Sequence, residues 1–195
     1  MATLKFVREI KDSRLLLLGL TEEGESANYT VNTACFEAVG CPTVGDELDE
    51  MQTSAIKYTD ELIRAKKKAL SILAFADNNR KSLYQKLHRA GFSKEIITEV
   101  TCEMVDLGYI DERRQLERII LVEANEKLRG PRKIIPALTA KGYSSSDISA
   151  VMHRLVDSGD VDFKKNAGLL IEKKLPSDAD AEEMKKLLFK NGYKV

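Results

Sequence analysis

Leu83-Tyr84-Gln85-Lys86-Leu87-His88-Arg89-Ala90-Gly91-Phe92-Ser93 and Ile134-Ile135-Pro136-Ala137-Leu138-Thr139-Ala140-Lys141-Gly142-Tyr143-Ser144 share one pattern, 51 residues apart. Each segment sets two large apolar residues four positions apart, the spacing of one helix face. Each then runs into a glycine able to take the left-handed conformation that ends a helix. The aromatic residue and serine that follow suit a turn and the N-cap of another helix. The correspondence continues at Ile97 with Ile148, Val100 with Val151, and Met104-Val105-Asp106 with Leu155-Val156-Asp157. Gly108 and Ile110-Asp111 match Gly159 and Val161-Asp162 in the same way. Self-similarity of this period marks a repeated supersecondary unit.

Extending outward from these segments, each unit reads as three helices. The first takes 60–76, 80–90 and 94–107; the second takes 112–128, 131–141 and 145–157. Pro131 suits a first helical turn, where no amide donor is lost. A third unit begins at Asp162 with a helix to Lys174, is broken at Pro176, and resumes from Asp180 to Asn191. There Leu188 and Gly192-Tyr193 echo Leu138 and Gly142-Tyr143 at an offset of 50. Ahead of the repeats, 5–10, 14–20 and 26–31 have strand character, with an Asp12-Ser13 turn and a Glu22-Glu23-Gly24 loop between them. A short helix capped by Asn32 or Thr33 and a helix-like stretch 48–58 complete that part. The expected organisation is a small strand-containing domain, 1–59, followed by repeats at 60–110, 111–161 and 162–195, the last truncated. The fold class is mainly α.

The net charge of zero hides an asymmetry: residues 1–61 carry 5 Lys/Arg against 12 Asp/Glu, and residues 62–195 carry 26 against 19. A half at −7 joined to a half at +7 points to one polyanion-facing part. The acidic part should then lie off any phosphate path, packed through Leu48, Met51 and Ile56 against the first repeat helix. No apolar stretch approaches the roughly 18–20 residues of a membrane-spanning helix. The amino terminus lacks the basic-then-apolar pattern of a secretory signal. Cys35, Cys41 and Cys102 have no metal-ligand spacing and read as reduced thiols of a cytoplasmic protein, with Cys102 as a small buried thiol on a helix.

Phosphate loops, dinucleotide fingerprints, nucleophile elbows and paired zinc histidines are all absent from the sequence. His88 and His153 lie 65 residues apart among basic or neutral side chains and read as surface histidines. The chain is therefore expected to be non-catalytic, with no cofactor and no metal. Charge within the repeats is more informative. Residues 78–94 contain no acid and carry Arg80, Lys81, Lys86, Arg89 and Lys94. Residues 127–146 contain none either and carry Lys127, Arg129, Arg132, Lys133 and Lys141. A solvated helix ordinarily mixes signs to gain pairs one turn apart, so two acid-free helices at equivalent positions suggest a shared surface for phosphate. Lys164, Lys165, Lys173 and Lys174 extend the candidate stripe.

The motifs resemble the RecX family of recombination regulators across most of residues 62–175. Leu83-x3-Leu87-x3-Gly91-Phe92, with Lys86 in place, resembles its first-repeat segment, and Gly108-Tyr109-Ile110-Asp111-Glu112 its G-Y-[IL]-D-D motif. Lys127-x2-Gly130-Pro131-x-Lys133-Ile134-x3-Leu138-x2-Lys141-Gly142 resembles the second repeat, and Ala167-x2-Leu170-x2-Lys173-Lys174 the start of the third. The chain departs at Gln115-Leu116, where the family has Phe-Ala, and at Asn78-Asn79, where it has Arg-Ser. The resemblance implies tandem three-helix repeats forming a curved helical array. It also implies a monomer that binds the RecA filament on single-stranded DNA, independently of sequence, and lowers RecA's ATPase, strand-exchange and co-protease activities. Such a regulator would act in DNA repair and the SOS response. A helix-turn-helix-like transcriptional regulator is the alternative. Against it, the third helix of the first unit carries Glu95, Glu99, Glu103 and Asp106 where bases would be read. A helical adaptor docking on an acidic protein is a third reading.

Overall fold

The structure, a computed structural model, describes residues 1–11 and 13–194, so the expected Asp12-Ser13 turn lies partly outside the described residues. Two compact units divide the chain: Met1–Ala74 with Lys86–Glu103, and Phe75–Gln85 with Met104–Val195. Helices α3 (Arg80–Arg89) and α4 (Lys94–Asp106) contribute residues to both.

The first unit opens with an antiparallel meander of β1 (Ala2–Glu9), β2 (Leu15–Glu22) and β3 (Glu25–Asn32). The two-residue β4 (Glu47–Leu48) pairs with the free side of β1, giving the order β3-β2-β1-β4. Leu4, Leu16, Leu18, Leu20 and Val31 supply one buried face and pack with Leu48 and Ile56. The strands are not ideal. Phe6 lies over Gly19, where a Cβ would meet its ring, and the register shifts between Leu4 and Phe6. Asn32 caps α1 (Thr33–Ala38) by accepting the Cys35 N–H at 2.8 Å.

Helix α2 runs without interruption from Glu50 to Phe75, so the stretch 48–58 and the helix expected to begin at Asp60 are one element. No glycine or proline separates them. Asp60, expected at a helix start, is instead buried in mid-helix. Its carboxylate accepts the Thr30 N–H of the edge strand β3 at 2.8 Å and Arg64 Nε at 2.8 Å, tying α2 to the sheet. Ile56 joins the sheet core, whereas Met51, expected to pack with it, is 80% exposed. Cys102 on α4 is exposed rather than buried.

The second unit holds α5 (Glu112–Leu121), α6 (Pro131–Lys141), α7 (Ser145–Asp157), α8 (Phe163–Lys174) and α9 (Ala181–Lys190). Nine α-helices and a π-helical turn therefore stand among the described residues. Leu116, Ile120, Ile134, Leu138, Ile148, Val151 and Leu155 form its main core, the last five of them positions matched at the 51-residue offset. Side chains of Asp111, Ser144, Asp162 and Asp180 cap α5, α7, α8 and α9. The single helix expected over 112–128 widens instead into the π-turn at Val122–Glu126, where the Lys127 N–H reaches the Val122 carbonyl. The wide turn leaves the Ala124 carbonyl to the buried Asn166 side chain of α8, at 3.1 Å.

The head of α6 rests on the tail of α9. The Gly130 N–H donates to the Asn191 carbonyl at 2.8 Å and the Arg132 N–H to the Gly192 carbonyl at 3.0 Å. The backbones approach so closely that a Cβ on Gly130 would lie 2.5 Å from the Gly192 carbonyl carbon and 2.7 Å from the Tyr193 nitrogen. Gly168, inside α8, has nothing within 4 Å of its virtual Cβ. Gly130→Ala should therefore lower stability by about 1–3 kcal/mol through overpacking. Gly168→Ala should raise it by about 0.5–1 kcal/mol through helix propensity. Thermal denaturation of the two variants checks both signs, and equal effects at the two positions would contradict the assigned contact.

Candidate nucleic-acid interface

A second head-to-tail junction joins α3 to α6, with residues 79–82 meeting 141–143 inside the second unit. Asn79 serves both helices: its Oδ1 accepts the Ser82 N–H at 2.8 Å, closing the head of α3, and its Nδ2 donates to the Lys141 carbonyl at 3.0 Å, closing the tail of α6. Behind it the Tyr143 O–H donates to Gln115 Oε1 at 3.0 Å, and Gln115 Nε2 donates to the Asn78 carbonyl at 3.2 Å. Asn78, Asn79, Gln115 and Tyr143 are each at most 8% exposed. Their hydrogen bonds offset the desolvation such burial imposes. The equivalent of Tyr143 at the other junction is Tyr193, whose O–H donates to the Leu128 carbonyl at 3.1 Å. That bond fixes a residue held at a φ of +50°.

These two junctions distribute the basic residues. At the first, the stem of Lys81 lies across Gly142, beside Lys141, and both lysines line one groove with Arg118, Asn79 and Gln85 and with one acid, Asp77, which pairs with Arg118. At the second, Lys133 lies across Gly192 and its Nζ donates to the Lys190 carbonyl at 3.3 Å. Arg132, at the same head, is exposed. Both windows free of acid thus meet at the first junction, where α3 begins and α6 ends.

Other candidates are neutralised internally. Arg80 faces Glu112 at 3.7 Å, and Lys127 (2.6 Å) and Arg129 share Glu123. Burial alone would raise the Glu123 pKa, but the bonds from Lys127 and Arg129 outweigh it and hold the carboxyl below its ordinary value. Lys86 and Arg89 are exposed and belong to the first unit. Lys164 and Lys165 open α8, where their backbone N–H groups donate to Asp162, and Lys173 and Lys174 end it, with all four side chains exposed. Sequence reasoning missed Lys190, Arg118 (paired with Asp77) and the buried amides. Asn78 and Asn79 lie between the expected helices and Gln115 within one, and nothing in their spacing marks them as partners. Among the described residues no three His, Cys, Asp or Glu side chains gather as metal ligands. No described helix is long and apolar enough to cross a membrane.

Fold and site together define a mainly helical protein with an N-terminal antiparallel sheet and lysine pairs gathered at helix junctions. Comparison with known proteins shows what this class is similar to. The chain is 27% identical over 152 residues to a curated protein of Bacillus cytotoxicus named Regulatory protein RecX, covering 78% of this chain and 55% of the relative. It is 26% identical over 155 residues to the protein of the same name from Bacillus mycoides, covering 80% of this chain and 56% of that protein. The chain thus spans little more than half the length of these relatives. A crystal structure of regulatory protein RecX matches it with a TM-score of 0.70 at 20% identity, over 100% of this chain and 95% of that one. RecX from Lactobacillus salivarius matches with a TM-score of 0.59 at 21% identity, over 69% and 90%. No family model matches the chain. The resemblance to RecX read from the motifs is borne out: the chain is a homologue of proteins named as RecX regulators, with the same fold.

The phenols at the junctions carry a pH signature. Burial raises the Tyr143 pKa above the usual 10.0, with the Glu112 and Asp77 carboxylates adding to it against Arg118, and burial alone raises that of Tyr193. The folded state holds these protons more tightly than the unfolded chain. The stability they contribute is therefore fully present below pH 10.0 and is lost as pH rises through the folded values. Tyr143→Phe with Tyr193→Phe should cost about 1–3 kcal/mol per orphaned buried acceptor at neutral pH. It should also flatten the alkaline limb in urea melts across that range. An alkaline limb as steep as the parent's would mean that other groups drive it.

Proposed function

We propose that the chain is a non-catalytic regulator that binds the RecA–single-stranded DNA filament and lowers RecA's recombinase, ATPase and co-protease activities. Within this reading the helices act as tandem units and the acidic N-terminal sheet is accessory. The protein works as a monomer in the cytoplasm, in DNA repair and the SOS response. It contacts phosphate through the α3 and α6 basic residues, independently of base sequence, and requires no cofactor. The observation that carries the proposal is the meeting of the two acid-free windows at Lys81 and Lys141, in a chain whose curated relatives are named RecX regulators. Phosphate contact by clustered Lys and Arg is sequence-independent and salt-dependent.

RecA's DNA-dependent ATPase, measured with increasing amounts of the full chain, tests it. The expected result is a dose-dependent fall in rate, and Arg132→Glu with Lys133→Glu should weaken that effect by orders of magnitude while circular dichroism stays unchanged. An ATPase indifferent to the parent chain refutes the proposal. Tight, saturable binding to one duplex sequence would instead favour a site-specific transcriptional regulator.

A further inference from the structure

We infer that the two helix junctions are two equivalent phosphate seats, Lys81 with Lys141 and Lys133 with Lys190, built to hold successive parts of a single-stranded nucleic-acid backbone. This deepens the filament reading, and rests on it, by naming where in the basic surface the phosphates sit.

The two seats have the same construction. A lysine from the first turn of one helix lies over the left-handed glycine that ends the next: Lys81 over Gly142 (φ +99°) and Lys133 over Gly192 (φ +88°). The packing is tight. A Cβ on Gly142 would fall 2.8 Å from Lys81 Cβ, and one on Gly192 would fall 2.5 Å from Lys133 Cβ. Each lysine stem is therefore fixed at a helix tail that already carries a lysine, Lys141 or Lys190. Among the described residues none of these four lysines makes an ion pair, although Arg80, Arg118, Lys127 and Arg129 all do.

Helix stability explains the arrangement only in part: the Lys133 ammonium donates to the Lys190 carbonyl at the negative end of α9. Lys141 and Lys190 suit the negative end of a helix, but Lys81 and Lys133 stand in a first turn, where the helix dipole favours acids. Helices α2, α4, α5, α7 and α9 each carry an acid in the first turn, and α8 is capped by the Asp162 carboxylate. Helices α3 and α6, like the six-residue α1, have no acid of their own in the first turn and neutral caps, Asn79 and Gly130, and at α3 the Glu112 carboxylate of α5 accepts the Arg80 N–H at 2.8 Å. These two heads are the ones that meet a lysine-bearing tail. A bound anion would neutralise the lysines that each junction gathers. The shared construction of the two sites matches an anion whose charges also repeat. A phosphodiester backbone has that property, and a free phosphate or an isolated carboxylate does not.

The full chain is titrated with fluorescent oligodeoxythymidylate across a range of salt concentrations. Lys81→Gln/Lys141→Gln and Lys133→Gln/Lys190→Gln keep the stems packed on the glycines and remove the charges; Lys5→Gln/Lys11→Gln, two exposed lysines of the acidic N-terminal part, is the charge-matched control. Each seat pair should lower the slope of log affinity against log salt by about 0.7 for every phosphate it no longer neutralises, with the four-site variant showing about twice the drop. Affinity at low salt should fall about tenfold per pair, and the control should fall far less. Inorganic phosphate at matched ionic strength should compete no better than chloride. Seat variants that behave like the control overturn the seats and leave the filament reading standing. A parent chain that fails to bind the oligonucleotide at low salt overturns both.

Discussion

The close approach of Gly130 to Gly192 is the constraint on which the rest of the second unit depends. A helix ends with carbonyls that have no partner within it, and burying them unpaired is costly. Here the head of another helix supplies the donors, from backbone N–H groups at Gly130 and Arg132 and from the Asn79 side chain at the equivalent place. Each bond contributes only about 0.5–1.5 kcal/mol net. Their larger effect is geometric, because they fix which residues of one helix lie over which residues of the next. The lysine pairs, the buried tyrosines and the left-handed Leu128 all follow from that register.

The two junctions reach the same end by different chemistry. At α6 the contact is backbone to backbone, which only a glycine at position 130 permits. At α3 a side-chain amide takes the place of the backbone donor, and a second amide, Gln115, links the tail's tyrosine to the head. Asn78, Asn79 and Gln115 are among the positions at which this chain departs from the RecX motif pattern, and the structure brings all three into one hydrogen-bonded group. Each amide finds its own partners: Asn78 the Ala76 carbonyl and the Ser82 hydroxyl, Asn79 the Lys141 carbonyl and the Ser82 N–H, Gln115 the Asn78 carbonyl and the Tyr143 hydroxyl.

Much of this is legible in the residues. Helix ends at Gly91, Gly142 and Gly192 declare themselves because a left-handed cap favours glycine, and the buried faces through Leu87 and Leu138 follow from spacing alone. Other features depend on contacts that spacing does not encode. The continuity of α2 through Asp60 is hidden because an acid at a charge transition looks like a helix start, whereas here it answers an N–H of the edge strand. The π-turn at 122–126 is sustained by Asn166, which lies 42 residues from the carbonyl it bonds. Helical periodicity does not fix on its own which side of α4 faces the core, and Cys102 falls on the exposed side. For the site, the acid-free windows are visible in the sequence. Their meeting point, and the contribution of Lys190, emerge only from the junctions.

Charge and fold then connect to function through one physical claim, that the head-to-tail junctions of the helical unit, and not the acidic sheet, meet nucleic-acid phosphate. Amide hydrogen exchange with and without oligodeoxythymidylate tests it most directly, because the Gly130 and Arg132 amides cross one junction and neighbouring amides in 79–82 report on the other. Added oligonucleotide should slow exchange at 79–82, 130–134, 141–143 and 191–193 and leave the sheet residues 15–32 unchanged. Protection confined to the sheet, with the junction amides unaffected, would contradict the account.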